Sequence, residues 1–303
     1  MTVAASSPQP RAPRRRAQWR YWLGQYAGLL ANLTPPLLYL LAFFYAPMSI
    51  LLVMSFWKSG YMTLRPGFTL ENYITFFTTP VYLKALGNTF LIATVTMLAL
   101  IVVAYPIAFY LARMRPRYER LILYLLIIPV EINFLIRIFA WKIALGRSGI
   151  INSALMAAGL IREPLGFLLY SKFAVGLVLM HEWLPYVVIP VYLALKGIPP
   201  EIIAAARSLG ASRWDVFWHI VLPLSVPGLF ASFVLVYIPM LGEFAVPALV
   251  GGPSGYMLGN VIENQFLSAG NWGLGSAIGF ILLTVTLALV ALVVKVAGVE
   301  KLL

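Results

Sequence analysis

Three glutamates, Glu131, Glu182 and Glu243, stand inside otherwise apolar stretches of this chain. Aromatic rings lie beside them in sequence or in the same stretches: Trp141, Trp183, Tyr186 and Phe244. Carboxylates next to ring faces recognise ammonium groups by charge pairing and cation–π attraction, so the pattern fits a small cationic amine. Glu243 follows Gly242 and sits between Pro239 and Pro247, a setting that reads as an irregular turn lining a cavity. The same stretches carry Arg137, Lys142 and His181. These could neutralise the acids internally, and an anionic or zwitterionic solute would instead use Arg137. His181 alone reads as a packed core residue rather than a ligand. Covalent chemistry has no comparable pattern. The chain has no cysteine, His181-Glu182 lacks the second histidine of H-E-x-x-H, and no G-x-S-x-G elbow occurs. No catalytic residue and no bound metal are expected, which leaves a membrane-embedded enzyme as the distant alternative.

The elements that hold these residues follow from composition. Of 303 residues, 61% are hydrophobic and 11% charged, with a mean hydropathy of +0.89. A soluble domain of this length carries about twice that share of charge. A membrane helix needs about 20 mostly apolar residues, and six segments qualify: 33–57, 90–112, 121–143, 173–195, 225–250 and 274–296. An all-α, six-span bundle over 33–296 is expected, with an Arg-rich tail over 1–32 and a short C-terminus over 297–303. Residues 1–20 read as disordered and the first span as uncleaved. The net charge of +12 lies beside the spans rather than on one basic face, so no nucleic-acid partner is expected. With the N-terminus inside, fourteen Lys and Arg fall on the cytoplasmic side and six outside. The positive-inside rule then places both termini in the cytoplasm of a multi-pass inner-membrane protein. Pro106, Pro129, Pro185, Pro190 and Pro239 bend spans in a way that suits a bundle opening around a central cavity. In the sixth span, Gly275 and Gly279 permit close helix packing within this chain or against another.

The loop between spans four and five, 197–223, is cytoplasmic in this topology. Ile202, Ala205, Ala206 and Leu209 share one face of a short helix that follows Pro199-Pro200. Gly210 closes that helix in the left-handed conformation. Ser212 and Asp215 have capping-box spacing for a second helix, whose Trp214, Phe217, Trp218 and Val221 repeat the same stripe. Pro223 marks the junction with span five. Three consecutive alanines favour close packing over a lipid anchor.

This loop resembles the EAA motif of ABC importer permeases, in which EAA is followed at set spacings by Gly, Ile and Leu-Pro. Ala204-Ala205-Ala206, Gly210, Ile220, Leu222 and Pro223 meet every spacing. Ala204 stands where the motif has glutamate, and Glu201 lies one turn earlier. The stretches 134–141, 146–155, 242–252 and 258–266 are similar to permeases of the spermidine/putrescine type within the MetI-like superfamily. That resemblance implies a coupling helix over this loop, including Glu201, Arg207 and Asp215, seated on a cytoplasmic ATPase. It implies a polyamine as substrate, with an opine, aminoethylphosphonate or another zwitterionic or anionic solute as the alternative. Two copies of the ATPase, a periplasmic binding protein and a second, homologous permease complete the implied assembly. The sequence has no phosphate-binding G-x-x-x-x-G-K-[ST] loop, so ATP and Mg belong to the ATPase subunits, and this chain is expected to bind no cofactor.

Overall fold

The structure, a computed structural model, describes residues 15–297. The chain falls into two compact units, one up to Met54 and one from Ser55 onward. In the first, α1 (Arg15–Leu40) runs through a π turn, Leu41–Tyr45, into α2 (Ala46–Ser55). Tyr26–Ser55 is long and apolar enough to cross a membrane. The helix already includes Arg15, Arg16 and Arg20, which corrects the expectation of disorder there. The segment RRAQWRYWL contains no residue that breaks a helix, and Arg, Ala, Gln and Leu are good helix formers. Arg11, Arg14 and the rest of 1–14, like 298–303, lie outside the described residues.

In the second unit, α3 (Glu71–Thr78) precedes α4 (Pro80–Leu111). Together with α8 (Lys172–Lys196) and α11 (Leu222–Leu241), α4 forms the packed centre. Small residues make that packing possible: Ala93, Ala104 and Ala108 of α4 are fully buried, and small side chains let helices approach closely where lipid removes the hydrophobic drive. Two hydroxyl pairs cross the same contact, Thr94 with Tyr237 at 2.9 Å and Tyr105 with Ser225 at 2.9 Å. The last helix, α13 (Trp272–Ala297), packs on α3 and on α12 (Leu258–Glu263). All-α is the class observed, with one small exception: β1 (Lys58–Gly60) and β2 (Thr63–Arg65) pair antiparallel, Ser59 opposite Leu64.

Two expected spans are redrawn. The third is not continuous over 121–143. It splits into α5 (Pro116–Ile127) and α6 (Phe134–Leu145), which continues toward α7 (Ile150–Ala157), with a 93° bend between the halves. Pro129 and Asn133 cause the break. Proline removes an amide donor, and the Asn133 carboxamide caps the new helix by accepting from the Leu135 amide at 2.9 Å. The fifth span stops at Leu241 rather than Val250, because Pro239 and Gly242 end the helix before a short π turn at Pro247–Gly251. Among the described residues, five helices are thus long and apolar enough to span a membrane, and the bent pair makes a sixth if it counts as one.

Candidate functional site

Glu182 lies in the middle of α8, 8% exposed, and its Oε1 is buried without a hydrogen-bond partner among the described residues. The next side chain, Trp183, has a buried and equally unpartnered indole Nε1, and its ring centroid is 5.4 Å from that of Tyr186. The charges whose fields reach Glu182 are Arg137 on α6 and Glu243 beyond the end of α11. Arg137 also leaves a buried Nε without a partner. Trp141, one turn further along α6, meets the His181 ring edge-on at 5.5 Å. Buried polar groups are almost always paired, so three orphaned atoms in one neighbourhood mark a place where a ligand or water completes the bonding.

Glu243 has a different setting. Its Oε1 accepts from the amides of Phe244 (3.1 Å), Ala245 (2.9 Å) and Val246 (3.3 Å), so it caps the short helix that follows. The other oxygen accepts no hydrogen bond among the described residues. Phe244 is 47% exposed. This break is held by residues that sequence reasoning passed over. The Asn260 carboxamide donates to the Phe244 carbonyl at 2.7 Å and accepts from the Met257 amide at 3.1 Å. Gly259 lies so close that an added Cβ would meet the Glu243 carbonyl oxygen at 2.4 Å. From α4, Asn88 donates to the Ser254 and Tyr256 carbonyls, and the Thr89 hydroxyl accepts from the Leu258 amide at 2.7 Å. The signal was present as polar side chains in apolar surroundings, but which backbone they would reach depends on the fold.

The remaining sequence-derived residues divide. Arg137 and Glu243 act on Glu182 through their charges, Trp183 pairs with Tyr186 and Trp141 meets His181, while Phe244 follows Glu243 on the exposed side of the break. Glu131 does not join them: it is exposed in the turn between α5 and α6, because the bend removes it from the mid-span position a straight helix would give. His181 is exposed rather than packed in the core. Among the described residues, neither His181 nor Lys142 nor Arg137 forms an ion pair with an acid. The ion pair found is Lys196 with the buried Glu119, which also accepts from the Tyr192 hydroxyl.

The loop before α11 forms α9 (Pro200–Ser208), ended by two bonds, Gly210 N–H to the Arg207 carbonyl at 3.0 Å and Ala211 N–H to the Ala206 carbonyl at 3.1 Å. This is a Schellman closure, and it needs Gly210 at φ +88°. Ser212 and Asp215 exchange both bonds of a capping box at 3.1 and 3.0 Å and start α10 (Arg213–Val216). Pro223 stands in the first turn of α11, which opens at Leu222. The helix passes through a π turn at Phe217–Val221 and continues without interruption from Arg213 to Leu241, because the π turn accommodates the missing proline donor. Ile203 and Ala206 turn toward the protein, while Ile202, Ala205 and Leu209 are exposed, Leu209 at 89%. Ala204, Glu201 and Arg207 are exposed too, Ile220 and Leu222 are half-buried, and Pro223 is exposed.

The comparisons with known proteins bear on the family and the fold. Residues 104–298 match the family model "binding-protein-dependent transport system inner membrane component". The chain belongs to this family: it is a permease subunit of a multi-pass bacterial inner-membrane transport system. It is 36% identical over 225 residues to the spermidine/putrescine transport system permease protein PotB of Haemophilus influenzae, covering 74% of this chain and 78% of that one. Two solved structures share the fold at 22% identity. One is a bacterial ABC transporter that imports the acidic polysaccharide alginate, with a TM-score of 0.75 over 92% of this chain and 98% of that one. The other is the alginate transporter in complex with its pentasaccharide-bound periplasmic protein, with a TM-score of 0.71 over 91% and 94%.

Proposed function

We propose that this chain is the membrane pathway of an ABC importer for a polyamine or closely related cationic amine. One observation carries the reading: Glu182, an almost fully buried carboxylate with one oxygen unpaired, stands beside Trp183 and within the field of Glu243. Ionisable groups at membrane depth are costly and mark substrate pathways. Two carboxylates and the rings of Trp141, Trp183, Tyr186 and Phe244 suit ammonium groups on a flexible chain. The relative named for spermidine/putrescine transport supports that choice of substrate. Glu182→Gln lowers uptake of radiolabelled spermidine about tenfold or more, the worth of one charge-assisted contact. Unchanged uptake kinetics would remove Glu182 from the pathway.

Arg137 supports a second reading. Its unpartnered buried Nε would suit a carboxylate or phosphonate on an opine- or aminoethylphosphonate-like solute. In that case Arg137→Gln abolishes uptake and Glu182→Gln leaves it intact, the reverse of the polyamine outcome.

The rest of the assembly follows from the loop. The exposed stripe of Ile202, Ala205 and Leu209, framed by two capped helix ends, is a preformed apolar knob for a groove on a cytoplasmic ATPase, with Glu201 and Asp215 beside it. Two such ATPases, which bind ATP and Mg, need two loops, and hence a second permease that we take to be a homologous, different chain. A periplasmic binding protein delivers substrate to the outer segments, the β1–β2 hairpin and α7 among them. ATP-driven closure alternates the cavity between the two faces, with both termini cytoplasmic. No cofactor is assigned to this chain.

A further inference from the structure

A cavity of about 460 Å³ lies where the end of α4, α9 and the start of the Arg213–Leu241 helix meet. Arg113, Arg207 and Arg213 border it, and Phe109, Ile203 and Phe217 supply much of its apolar wall. No acidic side chain lines it. Arg113 is set in place rather than dangling: its guanidinium carbon lies 3.5 Å from the Phe109 ring centroid, and Nη1 donates to the Phe109 carbonyl at 3.1 Å. Burial pulls Arg113 below the ordinary guanidinium range; the Tyr105 hydroxyl opposes the shift and the Arg207 charge adds to it. The acid nearest in sequence, Asp215, is occupied by the Ser212 amide and hydroxyl. Among the described residues, none of the three arginines has an ion-pair partner.

Like charges gathered over an apolar wall call for an anion, and planar guanidinium groups match the oxygens of a phosphate. The wall adds a second requirement. A free phosphate would leave the aromatic and aliphatic lining unused, whereas an amphiphile uses both parts. The position agrees, since Arg113 lies two residues beyond the end of the membrane helix α4, where lipid headgroups sit. The cavity is also separate from the exposed stripe of α9. At about 100° per residue, Ile203 lies about a third of a turn and Arg207 nearly half a turn from the line of Ile202, Ala205 and Leu209.

We propose that this cavity is a binding site for one anionic phospholipid, its phosphate held by Arg113, Arg207 and Arg213 and its acyl chain laid against Phe109 and Ile203. The inference rests on the importer reading only for which leaflet supplies the lipid.

The test uses the full chain, purified and exchanged into a zwitterionic detergent, with bound lipids counted by native mass spectrometry. Phosphatidylglycerol, phosphatidylcholine of the same chains and inorganic phosphate are titrated in turn. A single phosphatidylglycerol is retained about tenfold more tightly than phosphatidylcholine, as a few juxtamembrane arginines predict. The double variant R113Q/R207Q falls to the phosphatidylcholine level, and R113K/R207K, with charge restored, keeps a clear preference and shows that the cavity is folded. Equal retention of the two lipids overturns the proposal, as does unchanged phosphatidylglycerol retention in R113Q/R207Q. Stabilisation by inorganic phosphate equal to that by phosphatidylglycerol overturns it in favour of a soluble anion. Loss of ATPase co-purification with lipid retention intact overturns it in favour of a protein partner. Orientation does not enter the measurement, so failure of the importer reading would show in uptake and not here.

Discussion

Asn260 and Gly259 act at the scale of single atoms around the helix break that carries Glu243. The Asn260 side chain satisfies the Phe244 carbonyl and the Met257 amide together. Asn260→Leu leaves both unpaired in a buried place, at about 1–3 kcal/mol each, and lowers the melting temperature of the purified chain; an unchanged melting curve would show that water replaces the amide. Gly259→Ala places a methyl against the Glu243 carbonyl, where backbone rather than a mobile side-chain tip must move. The expected result is a chain that still inserts but transports poorly, read by uptake normalised to membrane content. The sequence displayed the acids and aromatics plainly, because charge inside an apolar run is visible without a fold. It did not display Asn88, Thr89 or Asn260 as supports, since the backbone groups they reach across the fold, the Ser254, Tyr256 and Phe244 carbonyls and the Leu258 amide, are more than ten residues away. Glu131 was misplaced for a related reason: counting residues along a span presumes a straight helix, and Pro129 followed by Asn133 ends one helix and starts another.

At the scale of elements, the loop before α11 was the most legible part of the chain. Gly210, Ser212 and Asp215 act through local backbone bonds, so their spacing alone specified the closure and the capping box. The π turn that joins α10 to α11 before Pro223 has no sequence signature of comparable strength and was not legible. Gly210 has open space around it, so substitution there costs backbone strain and no clash. Gly210→Val therefore destabilises the turn by about 1–2 kcal/mol and reduces transport-coupled ATP hydrolysis in the reconstituted complex, while Gly210→Asn, which tolerates the left-handed region, retains most of it. Equal activity of the two variants would detach the turn from coupling. The Lys196–Glu119 pair joins the last turn of α8, just before this loop, to the first turn of α5. Lys196→Met strands a buried carboxylate and lowers thermal stability, and adding Glu119→Gln restores much of it, because removing both charges is milder than removing one. A double variant no more stable than the single one would show that the pair contributes little.

At the scale of the whole molecule, the absence of native cysteine turns topology into a direct measurement. Glu163→Cys, in the loop between α7 and α8, reacts with an impermeant maleimide in intact cells. Ser208→Cys, at the end of α9, reacts only once the inner membrane is opened. The opposite pattern would invert the chain and with it the assignment of the loop. Composition and the Lys/Arg distribution made the all-α membrane class readable, but not the 93° bend or the early end of the fifth span, which arise from particular proline and glycine positions. The uninterrupted helix from Arg213 to Leu241 has a mechanical meaning. It begins in the loop after α9 and ends two residues before Glu243, so at 1.5 Å per residue it is a rod of about 43 Å. Pivoted near one end, a tilt of about 10° would swing the other end by roughly 7 Å, more than one helical pitch. A modest rotation imposed at Trp214 is thereby geared into a displacement large enough to uncover or bury a carboxylate at the opposite end of the rod, with no relay of side chains between.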